Sequence, residues 1–355
     1  MQTIHGGPDA EGVARYDLST NANPLGPYPG ALRALQAADA RHYPDPAYTE
    51  LTVQLAAWHR VAPARMVLAA SGSEFIQRIS AAVALQAGQG AGRPTRVWLP
   101  PHAYGDYARA AQAVGLVPTP DAAQAALLWG CEPSSPLGQP EAGLAERVAA
   151  LQPWQTLVLD LAYAPLRLQG ALVLDAAAQD SVWRLFSPNK ALGLTGVRAA
   201  YAVAPAQVDA ALLRRVQALA PSWPLGAHGV ALLQSWATLD AEDWVAASRV
   251  QLQAWKARQM ALLTAAGWRV QPSETPFFVA DPACRTSAEG VLDLQTDLQT
   301  QLHAWRAQGL KLRNAASFGL PGRVRMAVAC PADQDAVLAV LRQPLGVGQG
   351  QNQPL

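Results

Sequence analysis

From about residue 50 to 215, short apolar runs alternate with helix-like segments, and this alternation constrains the fold more than any other feature. VWLP at 97–100, AALLWG at 125–130, TLVLD at 156–160, VWRLF at 182–186 and RAAYAVA at 198–204 read as short strands. Amphipathic stretches at 104–114 and 141–151 lie between them. Brief, nearly continuous apolar runs suit strands buried on both faces, and their alternation with helices suits a mainly parallel sheet covered on both sides. The predicted class is α/β. A chain of 355 residues that is 50% hydrophobic also has the length for two domains.

The pattern changes after PSWPLG at 221–226. A helical tract over 227–266 leads to a strand, loop and strand in GWRVQPSETPFFVAD, then a helix at 292–308. Strands at 310–314 and 323–328 and a last helix at 332–342 complete a small α+β unit. The expected division is an N-terminal arm at 1–30, a large domain at 31–240, a small domain at 241–345 and a disordered, polar, Gly-rich tail at 346–355.

A formal net charge of +1 provides no global field for nucleic acid or an anionic membrane. Cys131, Cys284 and Cys330 are widely spaced and form no CxxC pair, so neither a disulfide framework nor a metal site is expected. No apolar run reaches the roughly 18 residues that span a bilayer. The opening MQTIHGGPDAEG lacks the pattern of a signal peptide. A soluble, cytoplasmic protein is the expectation.

Ligands of open α/β sheets bind beyond the carboxyl ends of the strands, and the chemically distinctive residues fall there. The chain has three lysines, Lys190, Lys256 and Lys311, among 27 lysines and arginines. Lys190 sits in FSPNKALGLTGVR, between a strand and a Gly-containing turn, with Ser187 before it and Arg198 after it. A helix-capping loop with an incidental lysine is the plainer reading. The sharper one is a Schiff-base lysine, nucleophilic when desolvated beside cationic neighbours, with Ser187 and Arg198 on a cofactor phosphate. Such a cofactor, pyridoxal phosphate for instance, also needs a carboxylate at its ring nitrogen. Asp160, ending TLVLD, is the candidate, and a helix or turn cap is its alternative. Tyr163 is placed for the ring hydroxyl, and Tyr104 in PHAYGDY for the ring face. SGSE at 71–74 opens a helix, where backbone N–H groups favour an anion. Arg325 and Arg313 stand on predicted strands, where an arginine needs an anion or an ion-pair partner. Two arginines converging from adjacent strands suggest a ligand with two anionic groups.

The order of STNANPLGPYP, HYPD, SGSE, PHAYGDY, EPSSPLG, DLAY, SPNKALGLTGVR and RVRMAV resembles the fold-type I pyridoxal-phosphate enzymes of the histidinol-phosphate aminotransferase-like group, over nearly the whole chain. The resemblance implies a large mainly parallel domain and a small α+β domain. It implies pyridoxal 5'-phosphate bound covalently to Lys190, with Asp160 at the ring nitrogen, Tyr163 at the ring hydroxyl and Tyr104 stacked on the ring. Ser73, Glu74, Ser187 and Arg198 would bind the cofactor phosphate. Tyr43 from a neighbouring subunit would join them, which implies a homodimer.

HGG at 5–7 ahead of YDLSTNANPLG, the PSWPLGAHG segment and the compact chain resemble the threonine-phosphate decarboxylase branch of cobalamin biosynthesis. That branch implies decarboxylation of L-threonine O-3-phosphate to (R)-1-aminopropan-2-ol O-2-phosphate. Arg325 would lie on the substrate carboxylate, with His5, Asn23 and Arg313 near its phosphate. An aminotransferase acting on histidinol phosphate or a related amino acid is the alternative; a catalytically silent relative is a third reading. The chain departs from the family pattern in three places. Ser135 stands in Ser135-Pro136-Leu137-Gly138 where an asparagine is usual, Leu161 replaces an acidic residue, and Thr275-Pro276-Phe277 lacks an asparagine.

Overall fold

The computed structural model describes residues 6–89, 94–282 and 294–342. His5, Cys284 and the expected tail at 346–355 lie outside the described residues. Thirteen strands occur among them: β1 Tyr16–Asp17, β2 Met66–Ala69, β3 Arg96–Trp98, β4 Val117–Pro118, β5 Leu127–Cys131, β6 Thr156–Asp160, β7 Trp183–Phe186, β8 Ala200–Val203, β9 Arg269–Val270, β10 Phe277–Asp281, β11 Leu310–Lys311, β12 Arg313–Asn314 and β13 Val324–Ala327.

Seven of these form one sheet in the order β2-β8-β7-β6-β5-β3-β4. Strands β4, β3, β5, β6 and β7 run parallel, and β8 is antiparallel to both neighbours. Every residue of β5 and β6 is buried. Side chains alternate between the faces of a strand, and β6 uses both. Val158 joins a core with Phe75, Ile79, Tyr107, Trp129 and Trp183, whereas Leu157 and Leu159 join Leu128, Leu144 and Leu161 on the other side. A strand apolar on both faces carries no period-2 signal, which is why TLVLD reads as a continuous run.

The smaller sheet is antiparallel, in the order β12-β13-β10-β9. An apolar cluster containing Leu51, Tyr201, Leu252, Met326 and Leu338 runs between it and the larger sheet. The tract expected as one helix at 227–266 is two, Ala227–Trp236 and Leu239–Ala265. Thr238 separates them: it is extended, and its hydroxyl accepts from the Ala241 amide, a local bond that starts a helix rather than continuing one. The expected strand at 310–314 also divides. Leu310–Lys311 pairs with β1 in a separate two-stranded sheet, and Arg313–Asn314 pairs with β13. The N-terminal arm is thereby tied to the C-terminal unit, with Leu18 donating to the Lys311 carbonyl and accepting from the Ala327 amide.

Loops at the carboxyl ends of β5 and β6 are fastened to the small sheet by one buried cation. Arg167 pairs with Glu132 at 2.7 Å and with Glu274 at 2.5 Å, and Glu132 has no exposed surface. Gly138, at φ +67°, lies against the hydroxyls of Thr275 and Ser273, where a Cβ would collide with both. Breaking a buried ion pair strands its partner charge, at a cost of roughly 3–5 kcal/mol. Arg167→Met should therefore lower the unfolding free energy by about 3 kcal/mol or more in urea titrations. A loss under about 1 kcal/mol would show that the tie is dispensable.

Candidate active site

A cavity of about 680 Å³ opens at the carboxyl ends of β5, β6 and β7. The large sheet and its loops contribute Cys131, Ser135, Asp160, Tyr163, Ser187 and Lys190. The small sheet closes it with Arg313 and Arg325, and the N-terminal arm adds Ser19, Thr20 and Asn21. Ten of the residues singled out in the sequence therefore meet in one place: Ser73, Tyr104, Ser135, Asp160, Tyr163, Ser187, Lys190, Arg198, Arg313 and Arg325.

Asp160 ends β6, is 8% exposed and has fixed partners. Its Oδ1 accepts from the Ala162 amide at 2.9 Å, and its Oδ2 accepts from the Tyr107 hydroxyl at 2.7 Å. Burial pushes the carboxyl up from its ordinary value, while those two donors and the Lys190 charge oppose the rise. The Lys190 Nζ lies 5.3 Å from the centroid of the Tyr163 ring. The lysine's loop is held at its backbone: the Asn23 amide donates to the Lys190 carbonyl, and Ser187 donates to the Asn189 side chain.

The other two lysines are committed elsewhere. Lys311 pairs with Asp9 at 2.7 Å. Burial lowers the Lys256 amine to about 8, but it donates to the Ser273 carbonyl and does not border the cavity.

Across the cavity, Arg313 and Arg325 are register partners on β12 and β13. Like charges directly opposite on neighbouring strands repel, and both side chains are buried. Arg325 donates to the Ser19 carbonyl at 2.9 Å and to the Ser135 hydroxyl at 3.4 Å. Arg313 donates to Ser317 at 2.8 Å. Both stack on Phe318. The Arg325 Nε and the Arg313 Nη1 are buried without a protein partner. Burial, reinforced by Arg325, lowers Arg313 to about 10. Two facing cations with unused donors are suited to an anionic ligand.

Three predicted residues stand elsewhere. Glu74 forms an ion pair with Arg78 and accepts from the Ala70 amide at 3.1 Å, so its carboxylate is committed, and a negative group would repel a phosphate. Asn23 donates to the Ala191 carbonyl and accepts from the Leu25 amide, each at 3.1 Å, which makes it a brace for the lysine loop. Tyr43 is 77% exposed and stacks on Trp223 at 4.4 Å, away from the cavity of its own chain. Conversely, Tyr107 and Asn21 border the cavity without having been singled out. Asn21 donates to the Tyr163 hydroxyl at 3.4 Å, and its Oδ1 is buried without a partner. Asn21 and Asn23 lie two apart in one motif, and their side-chain partners separate their tasks: Tyr163 for Asn21, and Ala191 and Leu25 for Asn23.

The family model for class I and II aminotransferases matches residues 15–340. The chain belongs to the class I and II aminotransferase family. Histidinol-phosphate aminotransferases of Ruegeria pomeroyi and Symbiobacterium thermophilum are 29% and 30% identical to it. The alignments cover 94% and 93% of this family member and 92% and 91% of the relatives. The histidinol-phosphate aminotransferase of Sinorhizobium meliloti, solved in complex with pyridoxal-5'-phosphate, superposes with a TM-score of 0.73 at 20% identity over 96% of each chain. The L-threonine-O-3-phosphate decarboxylase of Porphyromonas gingivalis superposes at 0.70, with 20% identity, over 91% of this chain and 97% of that one. The fold is that of the fold-type I pyridoxal-phosphate enzymes. At 20% identity the likeness to this solved decarboxylase is one of fold, and the sequence relatives support the aminotransferase, expected as the alternative, better than the decarboxylase.

Hydrogen bonds to charged groups contribute roughly 1.5–3 kcal/mol. Arg313→Met keeps the stem on Phe318 and removes one of the facing charges. It should weaken binding of a doubly anionic amino acid roughly tenfold or more, measured by titration, with thermal stability preserved. Unchanged binding would remove Arg313 from the ligand site.

Proposed function

We propose that the protein is a pyridoxal 5'-phosphate-dependent aminotransferase acting on histidinol phosphate or a related amino acid. The observation that carries this reading is the placement of Lys190, Asp160 and Tyr163 on one wall of the cavity and the two arginines on the other. The residues fit the cofactor: a lysine amine, a buried carboxylate, a tyrosine hydroxyl and a helix N-terminus with Ser73 border the same space. Pyridoxal phosphate supplies an electron sink beside the substrate's α-carbon.

Lys190 would hold the cofactor through its amine, and the same amine is placed to move the proton at the substrate's α-carbon. Asp160 keeps the ring nitrogen protonated. Tyr163, braced by Asn21, faces the ring hydroxyl, and Tyr104 covers the ring. Ser73, Ser187 and Arg198 take the phosphate. Arg325 and Arg313 converge on one dianionic phosphate or on two separate carboxylates, so the substrate class is a small phosphorylated or dicarboxylic amine. Ser135 serves Arg325 rather than the ring. Tyr43, exposed in one chain, would complete the phosphate site of a partner subunit in a homodimer. No described helix is long and apolar enough to cross a membrane, and cytoplasmic residence is part of the proposal.

Decarboxylation of threonine phosphate is the second reading. It draws support from the facing arginines, because that substrate carries both a carboxylate and a phosphate. The two activities differ in which bond at the α-carbon is broken, the one to hydrogen or the one to the carboxylate. Loaded protein should convert its cofactor absorbance to the pyridoxamine form with histidinol phosphate, and 2-oxoglutarate should restore it. Release of carbon dioxide and aminopropanol phosphate from threonine phosphate, without that conversion, would contradict transamination and establish the second reading.

A further inference from the structure

The structure assigns to Tyr107 the task of positioning the cofactor's counter-ion: its hydroxyl fixes the Asp160 carboxylate in the orientation that meets the ring nitrogen. This inference rests on the reading of the cavity as a pyridoxal-phosphate site and adds a residue to it.

Tyr107 lies on the helix Gly105–Ala113 and has no exposed surface. Its ring is clamped. It stacks on Trp129 of β5 at 4.3 Å and 7°, and meets Tyr104 edge-on at 5.7 Å and 88°. With the ring immobile, the hydroxyl has one place to be, 2.7 Å from the Asp160 Oδ2. The groups around that carboxylate are Tyr107 from the helix, Cys131 as the register partner on β5, the Ala162 amide beyond β6, and Lys190 beyond β7. Cys131 is turned to the Pro133 carbonyl, so Tyr107 and Ala162 are the two donors on the carboxylate. Burial and the negative charge of Asp160 both keep the tyrosine proton in place, and the hydroxyl therefore acts as donor.

Two donors fix a carboxylate plane in space, and each oxygen keeps a lone pair for a further proton. A buried carboxylate without them would rotate or take up a proton of its own, and either loses its pairing with a ring nitrogen. The edge contact with Tyr104 adds a second effect. One clamped side chain sets both the counter-ion at the nitrogen and the aromatic side chain assigned to the ring face. Tyr107 acts through these two residues, so it is a positioning residue.

Tyr107→Phe removes one oxygen and keeps the stack. The test compares binding of pyridoxal phosphate with binding of its 1-deaza analogue, which lacks the ring nitrogen, to cofactor-stripped protein. Taking the ratio of the two affinities cancels any general damage to the site. Wild type should prefer pyridoxal phosphate, and Tyr107→Phe should reduce that preference roughly ten- to a hundredfold, as expected for a hydrogen bond to a charged group. In the loaded variant, the pH midpoint of the cofactor's visible absorbance should also shift, which a purely structural tyrosine would not cause. A variant with the wild-type preference and midpoint would overturn the inference alone. A wild type that binds neither compound would instead sink the reading of the site.

Discussion

A carboxylate sits at the end of a strand buried on both faces, and the rest of the site is arranged around it. Asp160 closes β6 in the middle of the large sheet, with Leu157 and Leu159 packed on one face and Val158 on the other. Such a group is costly unless donors and a cation reach it. The Ala162 amide, the Tyr107 hydroxyl and Lys190 supply them. On the proposed reading, the remaining partner of this carboxylate is a ring nitrogen that must stay protonated. The sheet contributes rigidity: β5, β6 and β7 deliver Cys131, Asp160 and the lysine loop to one edge in fixed register.

The substrate side depends on a second electrostatic tension. Arg313 and Arg325 oppose each other on adjacent strands, stacked on one phenylalanine and short of partners. Their repulsion is tolerable because each is anchored, Arg325 through Ser19 and Ser135 and Arg313 through Ser317. An anion between them would discharge the tension, and that is the physical basis for an anionic substrate. Ser135 joins this arrangement, its hydroxyl accepting from Arg325 at 3.4 Å.

Much of this was legible in the sequence because local patterns and local structure coincide. TLVLD is β6 residue for residue, and SGSE opens the helix Gly72–Gln89. Lys190, Ser187 and Arg198 share one loop region and one cavity. Other features depend on contacts distant in sequence. Strand β1 is two residues long and exists because Leu310–Lys311 lies beside it. The split of 310–314 follows from that pairing and not from composition. Tyr107 reads as an ordinary core aromatic until Trp129 and Asp160 are placed beside it. The family resemblance places Glu74 at the phosphate, whereas Arg78 one turn later already claims its carboxylate.

The central claim is that Lys190, among three lysines, carries the cofactor. The direct test is borohydride reduction of the protein loaded with pyridoxal phosphate, followed by peptide mass spectrometry. A pyridoxyl group on the peptide containing Lys190, and on neither Lys256 nor Lys311, is the predicted result. Modification of Lys256, whose amine burial lowers to about 8, or of no lysine at all, would contradict it.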